Sequence, residues 1–294
     1  MGILLERMRE KKILVSDGAW GTMLQARGLS AGQCPELWNV TRPEEVRAIA
    51  AAYARAGSDM VLTNTFGGSR LSLKNYGLQD RVGELNQAGA RLSLEGAPSA
   101  VVAASIGPTG ELLSPLGSVT EQELEEVFAE QIGAILKAGV RVLCVETMSA
   151  VEEAACAVRA AKALDGEVEV IATMTFSPSA KGFRTMMGVD PARAAEVLAR
   201  CGADVLGANC GNGMAQMVPI VREFRRWTEK PLLVHANAGL PELEEGRPVY
   251  KETPAWMARF VPELIEAGAR IIGGCCGTTA EHITAIREAV DKLR

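Results

Sequence analysis

The sequence predicts an α/β protein folded as a single (β/α)₈ barrel of the TIM type. Strand-like and helix-like segments alternate from end to end, the strand-like segments are near-continuous apolar runs, and eight such pairs fit along the 294 residues. No Gly-x-Gly-x-x-Gly turn follows the first strand, which makes an open doubly wound sheet the less favoured alternative. No low-complexity linker interrupts the pattern, so residues 1–294 are expected to form one domain.

The segments follow one another in a regular order. Strands are predicted at residues 13–18, 59–65, 100–106, 140–147, 168–176, 204–210, 232–238 and 271–275. Helices are predicted from residue 42 onward, and then at 81–94, 120–138, 151–163, 191–200, 214–227, 253–267 and 280–293. Pro43 is placed at a helix start, and residues 120–123 resemble a capping box. Several helices end in glycine just before the next strand, as expected before a parallel strand.

Composition and charge argue against several classes of protein. A net charge of −5 without a basic run disfavours a nucleic-acid or anionic-membrane surface. No apolar run approaches about 18 residues and residues 1–12 are charged, so neither a signal peptide nor a membrane span is expected. Seven cysteines, an odd number, favour a reducing cytoplasm and thiols available to a metal or to catalysis. Two histidines are too few for a histidine-rich metal site.

The most unusual stretch is the junction between the last strand and the last helix. It carries Cys275 and Cys276 side by side, with Gly273 and Gly274 before them and Gly277 after. Neighbouring residues on a regular strand point to opposite faces, so both thiols can serve one site only if the backbone leaves the ladder, which the glycines permit. Reactive side chains where a strand enters a helix are typical of an α/β active site.

A third cysteine, Cys210, ends the sixth predicted strand, which is separated by one strand from the strand of Cys275 and Cys276. Because the strand ends gather at one face of a barrel, the three sulfurs are expected to come within metal-ligating reach. Three soft thiolates with a fourth position open suit Zn²⁺, and the spacing is not that of a zinc finger or ribbon. Cys144, Cys156 and Cys201 are expected to be small buried hydrophobes, whereas for Cys34, in a loop, this interpretation is favoured less strongly.

Two acidic residues also end predicted strands. Glu146 follows an apolar run, where an unpaired carboxylate would be costly, so it needs a cationic partner. Asp17 precedes a glycine and could be only a turn former, but together with Glu146 it would make a two-carboxylate cradle for an ammonium group. His235 is expected in the core beside the site, and His282 at the surface.

The charge of a three-thiolate zinc site indicates its chemistry. Zn²⁺ with three thiolates carries roughly −1, so it activates water poorly compared with a three-histidine site. It can still bind a thiol and take away the proton, and a thiolate in such an electron-rich site remains a good nucleophile. The residues therefore favour alkyl transfer to sulfur.

These segments resemble the homocysteine S-methyltransferase family over essentially the whole chain. The shared motifs are Asp17-Gly18-Ala19-Trp20-Gly21-Thr22, Thr63-Asn64-Thr65-Phe66, Glu146-Thr147, Asn209-Cys210 and Gly273-Gly274-Cys275-Cys276-Gly277-Thr278-Thr279. The first motif and residues 237–241 are most similar to the homocysteine-binding module of cobalamin-dependent methionine synthase, and the chain also resembles betaine–homocysteine methyltransferase. Residues 211–213, beside Cys210, depart from the family pattern.

The resemblance implies a (β/α)₈ barrel that binds L-homocysteine and zinc. Cys210, Cys275 and Cys276 would be the metal ligands and the catalytic residues. The substrate-binding residues would be Asp17 and Glu146 for the amino group, the backbone of Gly18 and Ala19 with Ser105 for the carboxylate, and Asn237 at the open zinc position before substrate enters.

The methyl donor is the point at which the sequence leaves alternatives open. The homocysteine barrel uses the whole length and leaves no folate barrel and no cobalamin-binding module, so the first expectation is a methyl-corrinoid protein acting in trans. S-methylmethionine, S-adenosylmethionine and a betaine are alternative donors, and a different thiol is an alternative acceptor. A non-enzymatic alternative is a zinc-carrying module of a larger assembly.

Overall fold

A parallel sheet curled into a barrel forms the centre of the molecule. The computed structural model describes residues 2–244 and 247–293. The strands in chain order are β1 (Leu14–Val15), β2 (Met60–Leu62), β3 (Val101–Ile106), β4 (Val142–Met148), β5 (Glu169–Met174), β6 (Ser177–Ser179), β7 (Gly182–Arg184), β8 (Val205–Gly213), β9 (Leu232–Asn237), β10 (Glu242–Glu244), β11 (Arg247–Val249) and β12 (Ala269–Gly274). Eight of them form one parallel sheet in the order β1-β12-β9-β8-β5-β4-β3-β2, which confirms the predicted (β/α)₈ barrel.

Helices surround this sheet. They are α1 (Ile3–Lys11), α2 (Gly21–Ala26), α3 (Trp38–Thr41), α4 (Pro43–Arg55), α5 (Arg70–Lys74), α6 (Val82–Gly96), α7 (Glu121–Lys137), α8 (Val151–Leu164), α9 (Pro191–Arg200), α10 (Met214–Arg225), α11 (Pro254–Ala258), α12 (Val261–Ala267) and α13 (Ala280–Asp291), with 3₁₀ turns at Pro35–Leu37 and Gln79–Arg81. The capping box of α7, between Thr120 and Glu123, is confirmed. The helix predicted at 253–267 is wrong as one element, because Pro262 has no N–H for the carbonyl of Ala258 and the chain restarts as α12.

The barrel closes between its first and second strands through few hydrogen bonds. The backbone N–H of Asp59 donates to the carbonyl of Val15 at 2.7 Å, and the N–H of Val15 donates to the Asp59 carboxylate at 2.9 Å. Further along, the N–H of Leu62 donates to the carboxylate of Asp17 at 2.7 Å. The side chains of Asp59 and Asp17 thus accept hydrogen bonds that a regular ladder between β1 and β2 would otherwise provide. Asp17 is also one of the predicted site residues.

Side chains from all eight strands fill the barrel interior. The cluster comprises Leu14, Met60, Leu62, Val101, Ala103, Val142, Cys144, Ile171, Val205, Leu233 and Ile271 from the strands, with Leu4 and Met8 from α1. Strands β2, β3 and β4 each contribute two of these residues, at alternate positions, as the two-residue period of a strand requires. The interior is therefore a packed core, and chemistry is confined to its rim.

Helix α1 covers the N-terminal end of the barrel, although the sequence indicated only a charged segment there. Its buried residues Leu4 and Met8 are one turn apart and face the barrel interior. The carboxylate of Glu169, at the start of β5, accepts the N–H groups of Leu4 at 2.8 Å and Leu5 at 2.9 Å. Glu169 therefore caps the helix from outside it.

Other features of the structure also differ from the expectations. Antiparallel hairpins, β6–β7 and β10–β11, follow β5 and β9. His282 is not at the surface but only 7% exposed, because its ring caps α13 through Thr279 and donates to the carbonyl of Glu252 at 2.9 Å. Over the described ranges, no helix is both long enough and apolar enough to cross a membrane.

Candidate functional site

A cavity of about 240 Å³ opens at the C-terminal ends of the barrel strands, where barrels of this type carry their chemistry. The predicted site residues that line it are Gly18, Ala19, Ser105, Glu146, Cys210, Cys275 and Cys276. Asp17 and Asn237 do not line it, and both are buried, with 0% and 3% of their surface exposed. The structure thus brings most of the predicted residues to one cavity.

Three sulfurs meet at this cavity. The ligand atoms of Cys210, Cys275 and Cys276 all lie within 4.8 Å of one another, and the Cys210 and Cys276 sulfurs are 3.9 Å apart. Strand β12 ends at Gly274, before the two adjacent cysteines, and Gly277 adopts a φ of 80°. The regular strand therefore ends at the second glycine, and the left-handed Gly277 turns the chain directly after the two cysteines, which favours a shared site for adjacent thiols.

The protonation of the sulfurs favours a bound cation. Hydrogen bonds from the thiols of Cys210 and Cys275 hold the pKa of the Cys276 thiol well below its usual range. The Cys275 thiol has the opposite shift, because its hydrogen bonds with Cys210 and Cys276 raise its pKa well above the usual value. The cluster therefore holds negative charge on a sulfur in a mostly buried position, where a metal cation would compensate it.

Asn237 ends β9, the strand whose backbone is hydrogen-bonded to the segment of Cys275 and Cys276. Its Oδ1 atom is buried and has no hydrogen-bond partner among the described residues. Its neighbour Ala238 donates its N–H to the carbonyl of Cys276 at 2.9 Å, and the N–H of Cys275 donates to the carbonyl of Ala236 at 2.7 Å. The three sulfurs form a donor set that fits a tetrahedral metal ion such as Zn²⁺ with one position open, and the unpartnered oxygen of Asn237 lies on the neighbouring strand β9.

A second group of potential ligands is already occupied by an arginine. Glu121, Glu125 and Cys156 also lie close enough together to hold an ion. However, the guanidinium of Arg159 binds Glu125 at 2.6 Å and Glu121 at 2.7 Å, and donates to the sulfur of Cys156 at 3.3 Å. This cluster is a salt-bridge network on helices α7 and α8, away from the cavity.

Glu146, at the end of β4, is 7% exposed. The hydroxyl of Ser105 donates to its Oε1 atom, and the amide of Asn209 donates to Oε2 at 3.4 Å. Burial raises its pKa from 4.5 to about 8 despite the hydrogen bond from Ser105, and the nearby charge of Asp17 adds to the rise. At neutral pH the carboxyl group is therefore largely protonated until a cation arrives.

Asp17 is buried beside the cavity and is already hydrogen-bonded. Its carboxylate accepts from the N–H of Leu62, from the indole N–H of Trp20 at 2.9 Å and from the hydroxyl of Ser16 at 3.1 Å. Burial raises its pKa to about 6, against the effect of these donors. Among the residues that the structure describes, no basic side chain forms an ion pair with Asp17 or Glu146.

The groups expected to bind a carboxylate are partly engaged within the protein. The N–H of Ala19 donates to the hydroxyl of Thr278 at 3.0 Å, and the Ser105 hydroxyl faces Glu146. A Cβ on Gly18 would lie 2.7 Å from the Thr278 hydroxyl oxygen, so only glycine fits there. Carboxylate binding by Ala19 and Ser105 therefore requires exchange of these hydrogen bonds.

His235, expected in the core beside the site, is buried and lines the cavity. Its Nε2 atom has no partner in the described part of the chain, and burial lowers its pKa to about 3. Asn209 binds the end of β4 through Thr147, whose φ of 62° is unusual for a branched residue. The Asn209-Cys210 motif was visible in the sequence, but nothing in it indicates these contacts.

Comparisons with known proteins show which proteins this chain resembles. A family model described as homocysteine S-methyltransferase matches residues 14–290. The methionine synthases of Mycobacterium tuberculosis and Mycobacterium leprae are each 31% identical to this chain over 97% and 98% of its length. The chain spans about a quarter, 25%, of the length of each of these relatives.

Solved structures share the fold. The metallated form of the homocysteine methyltransferase MmuM from Escherichia coli has a TM-score of 0.81 at 23% identity, covering 97% of this chain and 99% of that chain. The carboxyl transferase domain of Rhizobium etli pyruvate carboxylase has a TM-score of 0.53 at 17% identity, covering 97% of this chain and 48% of that chain. At these identities the likeness establishes the barrel architecture.

Proposed function

Since the chain belongs to the homocysteine S-methyltransferase family, we propose that it is a zinc-dependent enzyme that methylates the thiol of homocysteine to give methionine. One observation carries this proposal. Three converging sulfurs lie beside two buried carboxyl groups that have no cationic partner among the described residues. An amino acid that ends in a thiol complements both halves of this arrangement.

Cys210, Cys275 and Cys276 would hold the metal, and the unpaired oxygen of Asn237 would occupy its fourth position until substrate arrives. When bound, Zn²⁺ would supply a position at which a thiol loses its proton and remains nucleophilic. The sulfur-rich donor set favours zinc over magnesium or calcium, which prefer oxygen ligands.

The amino group of homocysteine would bind at Glu146, with Asp17 as the second negative charge. Glu146 holds a proton at neutral pH, so its carboxyl group would release this proton when the ammonium group enters. Ser105 already donates to one carboxylate oxygen and would keep Glu146 oriented toward the substrate. The backbone at Gly18 and Ala19 would take the substrate carboxylate.

The surface around the cavity favours a protein as the methyl donor. Exposed apolar side chains lie in the loops that follow β2, β3, β5 and β9, namely Phe66, Leu112, Leu116, Met186, Leu240 and Leu243. These loops belong to the face on which the cavity opens, and Met186 and Leu243 are 91% and 80% exposed. A docking protein would bury these side chains, whereas a small donor would leave them exposed. A methyl-corrinoid protein acting in trans is therefore the proposed donor, ahead of S-methylmethionine, S-adenosylmethionine or a betaine.

Two measurements test the proposed function. The first is the metal content of the purified protein, with X-ray absorption at the zinc edge before and after homocysteine is added. A fourth sulfur neighbour is expected to appear on addition. The second is methionine formation with each small donor alone and with a methyl-corrinoid protein. Rapid turnover with a small sulfonium or betaine would remove the corrinoid proposal and leave the acceptor proposal standing.

Two rival functions remain distinguishable. If a thiol without an amino group binds and homocysteine does not, the acceptor is a different thiol and the role of Glu146 is wrong. If zinc is bound but no thiol joins it, the chain is a zinc-carrying module of a larger assembly. Residues 1–294 would form one homocysteine-binding unit. This unit would work in the cytoplasm, which is consistent with its free cysteines.

A further inference from the structure

The side chain of Asn209 connects the two halves of the cavity. It is fully buried in the middle of β8, where the register with β9 begins to shift, and it immediately precedes Cys210. Its Oδ1 atom accepts from the N–H of Thr147 at 2.8 Å and from the hydroxyl of Thr173 at 2.7 Å. Its Nδ2 atom donates to the Thr147 hydroxyl at 2.7 Å and to Glu146 at 3.4 Å. All four hydrogen-bonding positions of the amide are thus used.

Backbone strain lies on both sides of this amide. Thr147 and Cys210 have φ angles of 62° and 59°, in the left-handed region that residues with a side chain rarely adopt. Such conformations persist only where the surroundings determine them, and they concentrate at functional sites. Asn209 holds Thr147 through two hydrogen bonds and directly precedes Cys210 in the chain. Its own carbonyl accepts from the hydroxyl of Thr175 at 3.0 Å.

We infer that Asn209 is a positioning residue that sets the distance between the sulfur of Cys210 and the carboxyl group of Glu146, and so selects thiols that carry an amino group at the spacing found in homocysteine. This inference rests on the proposed function. It assigns to Asn209 no contact with the substrate.

The physical reason is that a two-ended ligand depends on the separation of its two sites. A thiol bound at the metal brings its amino group to Glu146 only if both protein groups are held in register. A thiol without an amino group makes no ion pair with Glu146, so loosening the register between Cys210 and Glu146 costs it little. Loss of the Asn209 side chain should therefore weaken the binding of thiols that carry an amino group and leave the binding of other thiols nearly unchanged.

Calorimetric titration of zinc-loaded protein with two thiols tests this. Homocysteine engages both ends, and 4-mercaptobutanoate is the same molecule without the amino group. In Asn209→Ala the dissociation constant of homocysteine is expected to rise about tenfold or more, and that of 4-mercaptobutanoate by less than about threefold. Thr173→Val, which removes one hydrogen bond to Asn209 and keeps the side-chain shape, is expected to show the same pattern to a smaller degree.

Asn86 provides the matched control. It is also buried, at 1% exposure, and its amide donates to the carbonyls of Gly68 and Val82, neither of which lines the cavity, whereas Asn209 binds the lining residues Glu146 and Thr147. Asn86→Ala should lower the melting temperature and leave the ratio of the two dissociation constants unchanged.

The outcomes separate this inference from the proposed function. If the wild-type protein prefers homocysteine and both thiols weaken equally in Asn209→Ala and Thr173→Val, Asn209 is only structural and the inference is overturned alone. If the wild-type protein binds neither thiol, or binds both equally, recognition of the amino group fails and both proposals are overturned. A loss confined to homocysteine in both variants, with metal content unchanged, supports the inference.

Discussion

Glu146 and His235 are both buried ionisable groups of the cavity, and burial shifts their pKa values in opposite directions. Burial penalises whichever form is charged, so it raises the pKa of the acid to about 8 and lowers that of the base to about 3. Each shift makes the stability of the folded protein depend on pH, and the two dependences have different signs.

Glu146→Gln is expected to stabilise the protein at alkaline pH while removing substrate affinity. Between pH 4.5 and about 8 the folded protein keeps a proton on Glu146 that the unfolded chain has released, so stability is lost as the pH rises through this window. Glutamine cannot ionise, so the gap in melting temperature between variant and wild type should widen from pH 5 to pH 8. The dissociation constant of homocysteine should rise about tenfold or more, since a charged partner of the ammonium is lost.

Thermal melts at several pH values and titrations with homocysteine measure both effects. If the difference in melting temperature between the two proteins stays the same from pH 5 to pH 8, the folded protein does not hold this proton.

His235→Leu is expected to remove a loss of stability in acid. The folded protein keeps His235 neutral, whereas the unfolded chain takes up a proton below its usual pKa of 6.5, so stability is lost as the pH falls from 6.5 toward 3. Leucine also replaces a buried nitrogen that has no partner among the described residues. The variant should therefore melt at a higher temperature than the wild type, with the larger gain at pH 5 than at pH 7.5.

The second histidine is the control for this change. Both ring nitrogens of His282 are hydrogen-bonded, to Thr279 and to the carbonyl of Glu252. His282→Leu should therefore lower the melting temperature at pH 5 and at pH 7.5. A loss of stability at both pH values in His235→Leu as well would mean that its imidazole has a partner that the structure does not contain.

At the scale of single elements, α1 depends on one side chain from another part of the chain. Glu169→Ala removes the acceptor of two N–H groups at the start of this helix. The free energy of unfolding should fall by about 1–2 kcal/mol, the usual cost of a lost helix cap. Residues 3–11 should exchange their amide hydrogens faster, and homocysteine affinity should be unchanged because the site lies at the opposite end of the barrel.

Glu167→Ala is the control, since this exposed side chain is two residues away on the same segment. It should change stability by less than about 0.5 kcal/mol. Weaker homocysteine binding in Glu169→Ala alone would contradict the view that the base of the barrel serves stability only.

The elements also show how far the sequence could predict this structure. The barrel strands were found because each is a buried apolar run, a pattern set by the strand itself. Helix α1 was missed because its two buried residues, Leu4 and Met8, have meaning only against the barrel end that they cover. The hairpins β6–β7 and β10–β11 are three-residue strands outside the core, where hydrophobic periodicity carries little information.

The same distinction applies to the candidate site. Cys210, Cys275 and Cys276 could be proposed from their positions at strand ends and from the glycines around the last two. The clamp on Thr147 by Asn209 could not, because left-handed backbone at non-glycine residues and a four-bonded amide depend on tertiary contacts. Spacing thus predicts which residues gather, and the structure is needed to see which of them hold the others in place.

For the molecule as a whole, the barrel core and the proposed metal centre are separate. Residues of all eight strands and α1 pack together inside the barrel, and the three sulfurs lie beyond this core at the rim. A chain of 294 residues buries enough apolar surface to fold without a metal. Small zinc domains, by contrast, depend on their metal to fold.

Cys276→Ala is therefore expected to lose zinc and homocysteine binding while remaining folded. Its far-ultraviolet circular dichroism should match that of the wild type, and it should unfold in one cooperative transition, at a lower temperature because ligand binding no longer adds to stability. Cys144→Ala, which removes a fully buried sulfur inside the barrel, should do the reverse. It should cost about 1 kcal/mol or more of unfolding free energy and keep a full complement of metal. Loss of cooperative unfolding in Cys276→Ala, with Cys144→Ala still folded, would make the metal centre part of the folding core and favour a structural role for zinc over catalysis.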